Sequence, residues 1–445
     1  MNVLMWFRQD LRIHDHAALT LAAGLGAVVP VYIFDPEQWV RSDTSARQFQ
    51  FIAESVEDLR ADLASLGAAL LIRTGPVAQV LARLCARHAI TTIVTQGSAP
   101  RALTDWAAAS GIAWLETEQP LQGEPLPPPA LRCVADLIST PLPVPQLLRL
   151  GPDACAHRQR GGRGQALDLL NTFLTTRGES YHRAQAQPHS AERASSRLSP
   201  HLAQGTVSLR ELDQAITARL AERPSGRWTS ALGGFGRKLA ARAVLPPCPA
   251  PDLAAIAATS ALNAWLLGQT GLPFLDALMR YLAATGWLNE PLRALVLSLG
   301  VHHLGLDPMQ ASAGLARRLT DYDPALFWPQ ALRIAGLTGE APRLFHPIKQ
   351  ALDLDPDGQF TRHWLPELAA VPDSCLQSPW KWAGAARLLG RRYPEPMIDI
   401  ATAHRAAQEA IWARFGRPLR VVAQPSPALI ENPAQPLRGQ LRLEF

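Results

Sequence analysis

"NVLMWFRQDLRIHDHAALTLAAGLGAVVPVYIF", residues 2–34, decides the class of the N-terminal fold. It opens and closes on short apolar runs, "NVLMWF" (2–7) and "AVVPVYIF" (27–34), that read as buried strands. "ALLIRT" (69–74), "TTIVTQ" (91–96) and "IAWLET" (112–117) have the same character, and amphipathic helical patterns lie between them at 45–67 and 76–89. Strands alternating with helices at this spacing predict a parallel sheet covered on both faces. An ordinary dinucleotide fold sets a glycine-rich phosphate loop directly after its first strand. Here "FRQDLRIHD" (7–15) holds that position, Gly24 and Gly26 come before the second strand, and "GGFG" (233–236) lies far down the chain. If a nucleotide cofactor binds, it is held some other way.

Beyond the strands, "QPLQGEPLPPPALRCVADLISTPLPVPQLLRLGPD" (119–153) is rich in proline and lacks sustained periodicity, as an interdomain connection does. From about 163 to 416 the patterns are helical, broken by glycine and proline, and "AQPSPALIENPAQPLRGQ" (423–440) reads as extended or disordered. The expected organisation is an α/β domain over 1–120, a linker over 121–160, a larger all-helical domain over 161–420 and an extended tail over 421–445. No internal repeat interrupts this order.

The 445 residues are 47% hydrophobic and 18% charged, which describes an ordinary globular protein. No apolar run reaches membrane-spanning length, and "MNVLMWFRQDLRIHD" carries charges where a signal peptide needs its apolar region. A cytoplasmic protein, monomeric and without membrane contact, is the expectation. Cys85, Cys133, Cys155, Cys248 and Cys375 lie far apart with no C-x-x-C spacing, which argues against a disulfide framework, a zinc site or any other metal cluster. The net charge of +5 permits an anionic partner such as DNA. Only Lys238, Lys349 and Lys381 are lysines, however, and compositional bias toward arginine and alanine would give the same balance.

Three stretches carry chemistry. In "TDYDPALFWPQ" (320–330), Asp321 and Asp323 bracket Tyr322, with Phe327 and Trp328 close behind. Carboxylates so near apolar surface cost energy to bury unless a cation or a hydrogen-bond donor meets them. "SSRLSPHLAQGTVS" (195–208) puts Ser195, Ser196 and Ser199 around a helix start with Arg197 among them. Hydroxyls and backbone N–H groups there suit an anion such as a pyrophosphate, and a plain helix cap is the alternative. "GQTGLPFLDALMRYLAATGWLNEPLR" (268–293) is a helix flanked by glycine-rich ends, running to Arg293.

With these stretches in view, the chain resembles the photolyase/cryptochrome family of FAD-dependent blue-light flavoproteins. "MWFRQDLRIHDHAAL" looks like the family's opening strand and loop, and "SSRLSPHLAQG" like its serine-rich phosphate motif. "GQTGLPFLDALMRYLAATGW" and "LTDYD" match its Thr-Gly-Trp signature and its Asp-x-Asp. "FHPIKQALDLDPDGQFTRHWLPEL" with "PWKWA" matches the C-terminal signature, so that the resemblance spans roughly residues 2–415 in the expected order. It implies a Rossmann-like antenna domain, a long linker, a helical domain that buries a U-shaped FAD, and room for a second antenna chromophore whose identity the sequence does not disclose. By the family's spacing Arg293 pairs with Asp321 beside the flavin ring, and Asp323 bonds the ring or the ribityl chain. Ser195, Ser196, Leu198 and Ser199 correspond to residues that hold the phosphates, and Tyr181 to an upstream tyrosine that helps hold the cofactor.

The departures concentrate where the family does its light chemistry. Phe327 stands where Asn, Asp or Cys commonly faces flavin N5, and a phenyl ring cannot hydrogen-bond that atom. Ala331 stands where the first electron-donating tryptophan is often found, and Pro308 and Ala255 occupy the helix positions expected for the next two. Trp328 is a candidate electron donor, with ordinary core packing as the equal alternative. "WLNEPLR" (287–293) replaces the family's Trp-x-His-Asn-Arg-x-Arg, and "WTSALGGFGRKLAAR" (228–242) lacks the Glu-x-x-Trp-Arg that meets a flipped pyrimidine dimer. Arg237, Lys238 and Arg242 are the candidates for DNA phosphates. The resemblance thus implies a deoxyribodipyrimidine photolyase by descent, passing an electron from reduced FAD to a dimer, with an altered lesion pocket. A blue-light or redox receptor that binds FAD without repair is the alternative, and a helical scaffold that has lost the cofactor is a third.

Overall fold

The computed structural model describes residues 1–416 apart from 120–121, 186, 245–249, 254 and 258. Cys248 and the tail expected over 421–445 lie outside the described residues. Strands β1 (Asn2–Phe7), β2 (Ala27–Phe34), β3 (Leu71–Thr74), β4 (Ile90–Gln96) and β5 (Ala113–Thr117) form one sheet in the order β3-β2-β1-β4-β5. Every pairing is parallel, with Leu4 opposite Val29 and Val94 opposite Leu115.

Side-chain alternation explains why the strands read as unbroken apolar runs. Val3, Met5 and Phe7 face one layer with Tyr32 and Phe34, and there the helices Ala17–Leu25 and Ala46–Ser65 supply Leu19, Phe49, Ile52 and Val56. Leu4, Trp6, Val29 and Val31 face the other, against Val80, Leu81 and Leu84 of the helix Val77–Arg87 and Leu103 of Arg101–Ala109. Because both faces are covered, each central strand residue loses water whichever way it points.

The strand order reverses between β1 and β4, where sheets of this kind open a ligand crevice. Here Arg8, at the end of β1, fills that edge by donating to the carbonyls of Gln96, Gly97 and Ser98 at 2.8, 3.0 and 3.0 Å. The rest of "RQDLRIHD" docks on the helical part. Leu11 N–H donates to the Gln204 carbonyl at 3.0 Å, and the fully buried Arg12 guanidinium donates to that of Gly205 at 2.8 Å. Asp15 accepts from the Ser208 hydroxyl and the Arg210 guanidinium. Gly205, at φ +64°, is needed for this approach, since a Cβ there would stand 2.2 Å from the Gln9 carbonyl oxygen. The loop that displaces a phosphate loop is a clamp between the two parts of the chain.

The proline-rich connection is fastened along the sheet domain. Val28 donates to the Arg132 carbonyl at 2.7 Å, and Leu148 and Leu150 are buried in the same core as β1 and β2. The helical region that follows encloses a separate core, which includes Trp265, Leu278, Leu295, Trp328 and Phe360. Among the described residues no helix is long and apolar enough to cross a membrane.

Candidate functional site

Two loops meet to build the site. The helix Pro273–Thr285 ends at Gly286, whose φ of +69° reverses the chain, and Thr320 N–H donates to the Gly286 carbonyl at 2.8 Å. A Cβ on Gly286 would lie 2.2 Å from the Thr320 hydroxyl, so glycine is what lets the Thr-Gly-Trp turn touch "TDYD". The helix's other end is tied by Asp276, which accepts from Thr270 N and Oγ1 at 2.8 and 2.7 Å, Gly271 N at 3.0 Å and Tyr393 O–H at 2.6 Å. Burial raises the Asp276 carboxyl to about 6 despite these donors.

With the loops so placed, Arg293, in the first turn of the helix Glu290–Ser298, meets Asp321 with Nη2 to Oδ2 at 2.8 Å. Its Nε donates to the Leu288 carbonyl at 2.7 Å, which orients the guanidinium. The Asp321 side chain is 1% exposed, and its Oδ1 has no hydrogen-bond partner. One oxygen therefore has its cation, and the other is a buried acceptor awaiting a donor.

Asp323 is engaged differently. Its Oδ1 caps the helix Pro324–Ile334 by accepting from Ala325 N–H at 3.1 Å, and its Oδ2 is held by Arg242 at 2.6 Å. Arg242, grouped by sequence with the DNA-facing cations, is directed at this carboxylate. Lys238 Nζ donates to Gln185 Oε1 at 2.8 Å and sits 5.6 Å from the Tyr181 ring centroid, while Arg237 is exposed on the same helix, Gly226–Ala243.

Ser195, Ser196 and Leu198 are buried, and Ser199 opens the short helix Ser199–Ala203. The turn is held through its carbonyls. Arg177 donates to those of Ser195 and Ser196 at 2.5 and 3.4 Å, and Gln159 donates to that of Arg197 at 2.7 Å. Arg197, at φ +62°, lays its guanidinium 4.2 Å from the Trp287 ring centroid and so joins the serine turn to the Thr-Gly-Trp turn. Tyr181 is buried edge-on between Phe173 and Phe235, and burial pushes its hydroxyl up to about 12. Sequence reasoning missed the supporting roles of Arg177 and Gln159, because neither lies in a recognisable spacing to the serines.

Phe327 is buried edge-on to both Tyr322 and Trp328, and Ala331 is buried on the same helix. Pro308 is the first residue of the helix Pro308–Ala316. Ala255 is exposed in an irregular stretch, which corrects the expectation of a helix position there; the helix Ser260–Leu267 begins only later. Trp328 is fully buried, and its Nε1–H donates to the Tyr322 hydroxyl at 2.7 Å.

A family model for the FAD binding domain of DNA photolyase matches residues 240–413, and one for DNA photolyase matches residues 3–116. A cryptochrome DASH from Gloeobacter violaceus is 30% identical, over 94% of this chain and 98% of its own length. The chain belongs to the photolyase/cryptochrome family. The deoxyribodipyrimidine photo-lyase of Escherichia coli is 29% identical, over 89% of this chain and 95% of its own, so this photolyase/cryptochrome member stands about equally near both branches. The crystal structure of a class III photolyase from Agrobacterium tumefaciens has the same fold, with a TM-score of 0.78 at 24% identity over 93% of this chain and 98% of that one. The matched FAD-binding segment contains Arg242, Arg293, Asp321, Asp323, Phe327 and Trp328, whereas Tyr181 and the serine turn precede it.

Proposed function

We propose that the protein is an FAD flavoprotein and, by descent, a deoxyribodipyrimidine photolyase with an altered lesion pocket. The observation that carries the reading is Asp321, whose one oxygen is bound to Arg293 while the other is buried without a partner. Ser195, Ser196, Leu198 and Ser199 would hold the phosphates, Tyr181 would help hold the cofactor, and Arg293 and Asp321 would hold the ring end. Arg293 orients Asp321 through one carboxylate oxygen, and the other would accept from a ring N–H. Asp323, shared with Arg242, lines the same end. Phe327 packs there without offering a hydrogen bond. Reduced FAD, when bound, supplies the electron that splits a dimer. Arg237, exposed on the helix Gly226–Ala243, is the cation best disposed to meet a DNA phosphate.

A second reading, a receptor that binds FAD without repairing DNA, is favoured by one observation. On that helix alanine and glycine stand where a carboxylate and a stacking indole would be needed, and Arg242 is turned toward Asp323. Two measurements on the purified protein decide between them. Release of one FAD per chain on denaturation supports both readings, and no flavin even after incubation with FAD overturns both. Light-dependent restoration of a dimer-containing oligonucleotide supports repair, and its absence in flavin-loaded protein supports the receptor.

A further inference from the structure

Arg47 and Gln48, in the first turn of the helix Ala46–Ser65, reach from the sheet domain to the loops of the candidate site, and both are buried. The Arg47 Nη1 donates to the Arg318 carbonyl at 2.8 Å and to the Leu282 carbonyl at 3.3 Å. Leu282 belongs to the last turn of the helix Pro273–Thr285, and its carbonyl also accepts from Gly286 N–H at 2.9 Å. Arg318 stands three residues before Asp321. One guanidinium nitrogen therefore spans the same two loops that the Thr320–Gly286 bond joins. Gln48 Nε2 donates to the carbonyls of Ala316 and Leu319 at 2.9 and 3.1 Å, at the end of the helix Pro308–Ala316, where carbonyls run out of donors four residues on.

The rest of the guanidinium is fixed in place. Its Nε and Nη2 donate to Asp153 at 2.8 and 2.6 Å, and the Arg47 backbone N–H donates to the same carboxylate at 3.1 Å. A bidentate pair leaves the fork little freedom, so Nη1 is aimed at the two carbonyls. The linker end that supplies Asp153 holds the same turn, with His157 N–H donating to the Ala284 carbonyl at 2.8 Å. Cohesion between domains could use any surface carbonyl. Here three of the four that Arg47 and Gln48 meet lie within five residues of Asp321, and the fourth is the one that Gly286 closes on.

We propose that Arg47 is a positioning residue of the flavin site. From the sheet domain it sets the separation of the Thr-Gly-Trp turn, which leads to Arg293, and the loop that carries Asp321, while Gln48 fixes the chain entering that loop. The role rests on the reading of Asp321 as the acceptor for a flavin ring N–H. Such an acceptor has to be held within about 0.5 Å of its working position, and neither loop does this alone, because the Arg293–Asp321 pair is divided between them.

The test compares the purified full chain with Arg47→Lys and Gln48→Met by FAD affinity, by the visible absorption of the bound flavin and by amide hydrogen exchange. Arg47→Lys keeps a cation beside Asp153 but loses the fork, and Gln48→Met keeps the size of the side chain without its donor. Each is expected to weaken FAD binding by about tenfold and to move the absorption bands of the flavin that stays bound. The amides of Gly286 and Thr320 are expected to exchange about tenfold faster, with those of β1 unchanged. Gln48→Met leaves the Arg47–Asp153 pair intact and decides alone if Arg47→Lys does not fold. Unchanged FAD affinity and absorption bands in both variants overturn the positioning role. So does exchange that rises equally in β1, since the two residues would then serve general cohesion. A wild type that takes up no FAD fails differently, removing the flavin reading and this role with it before any variant is compared.

Discussion

Trp328 donates its indole N–H to the Tyr322 hydroxyl at 2.7 Å, and the same hydroxyl donates to Asp43 of the sheet domain at 2.5 Å. Arg41 meets Asp43 at 3.1 Å, so a four-residue polar chain runs from the Asp-x-Asp segment into the other half of the molecule. Burial, then Asp43, push the Tyr322 hydroxyl well above its ordinary value, which keeps it a donor. Tyr322→Phe leaves the Trp328 N–H without its acceptor, while Asp43 keeps both of its bonds from Arg41. The expected loss is roughly 1–3 kcal/mol for the stranded indole N–H, read as a lower urea midpoint. An unchanged midpoint would show that the chain contributes nothing to stability.

Asp321→Ala leaves Arg293 without its carboxylate. The Arg293 side chain is 20% exposed and keeps some solvation, so the cost belongs at the low end of the range for a broken buried pair, about 3 kcal/mol. Flavin occupancy is expected to fall with it. Retention of flavin and a wild-type melting curve would remove Asp321 from the site.

Arg177 touches the serine turn only through carbonyls, yet it fixes the turn from Leu169, Arg193, Ser195 and Ser196 at once. Arg177→Met is expected to weaken FAD binding by roughly tenfold through loss of positioning, measured by flavin retention on dilution. Full retention would mean that the turn holds its shape unaided.

The strands were legible because both faces of the sheet are covered, which makes each a continuous apolar run. The absence of a phosphate loop was legible too, but not what "RQDLRIHD" does instead, since Gly205 and Ser208, which it meets, lie 193 residues from Arg12 and Asp15. Arg293 and Asp321 were legible as a pair because each sits in a recognisable motif. Arg242 and Asp323, 81 residues apart, were not. An arginine on a helix without a carboxylate at i+3 or i+4 reads as a solvent-facing cation until the fold brings one from elsewhere. Asp43 carried no signal at all, since its partner Tyr322 comes from the other domain.

Acid is expected to weaken the fold through buried imidazoles. His303 lies 3.1 Å from His404, with His346 and His302 also near, and burial followed by these neighbours lowers its pKa to about 4. Burial lowers that of His201 to about 3. Both are neutral in the folded chain and take up protons more readily when unfolded. Their stability contribution is therefore complete above the unfolded value of 6.5 and is lost as pH falls toward the folded values. For His303 the loss is at most about 3 kcal/mol. Urea unfolding between these limits is expected to show a shallower pH dependence in His303→Gln than in the wild type, and identical slopes would exclude His303 as a contributor.

Light-driven reduction of the flavin is expected to be slow. Ala331 and Pro308 stand at relay positions where the family often carries indoles, and Ala255, at the third, is exposed outside any helix. Phe327, buried on the same helix as Ala331, offers no hydrogen bond to support a change of protonation at the ring. Trp328 is the exception to weigh. It is fully buried one residue from Phe327, but its N–H is already committed to Tyr322, so its polar edge is tied toward the sheet domain. Following the oxidised-flavin absorbance under identical illumination, with a mild external donor, separates the cases when wild type is compared with Trp328→Phe. Slow decay in both is the expected outcome. Fast decay in wild type that disappears in Trp328→Phe would identify Trp328 as a direct donor replacing the relay. Fast decay in both would move the donor to another buried indole, of which Trp265 and Trp287 are the candidates in the same core.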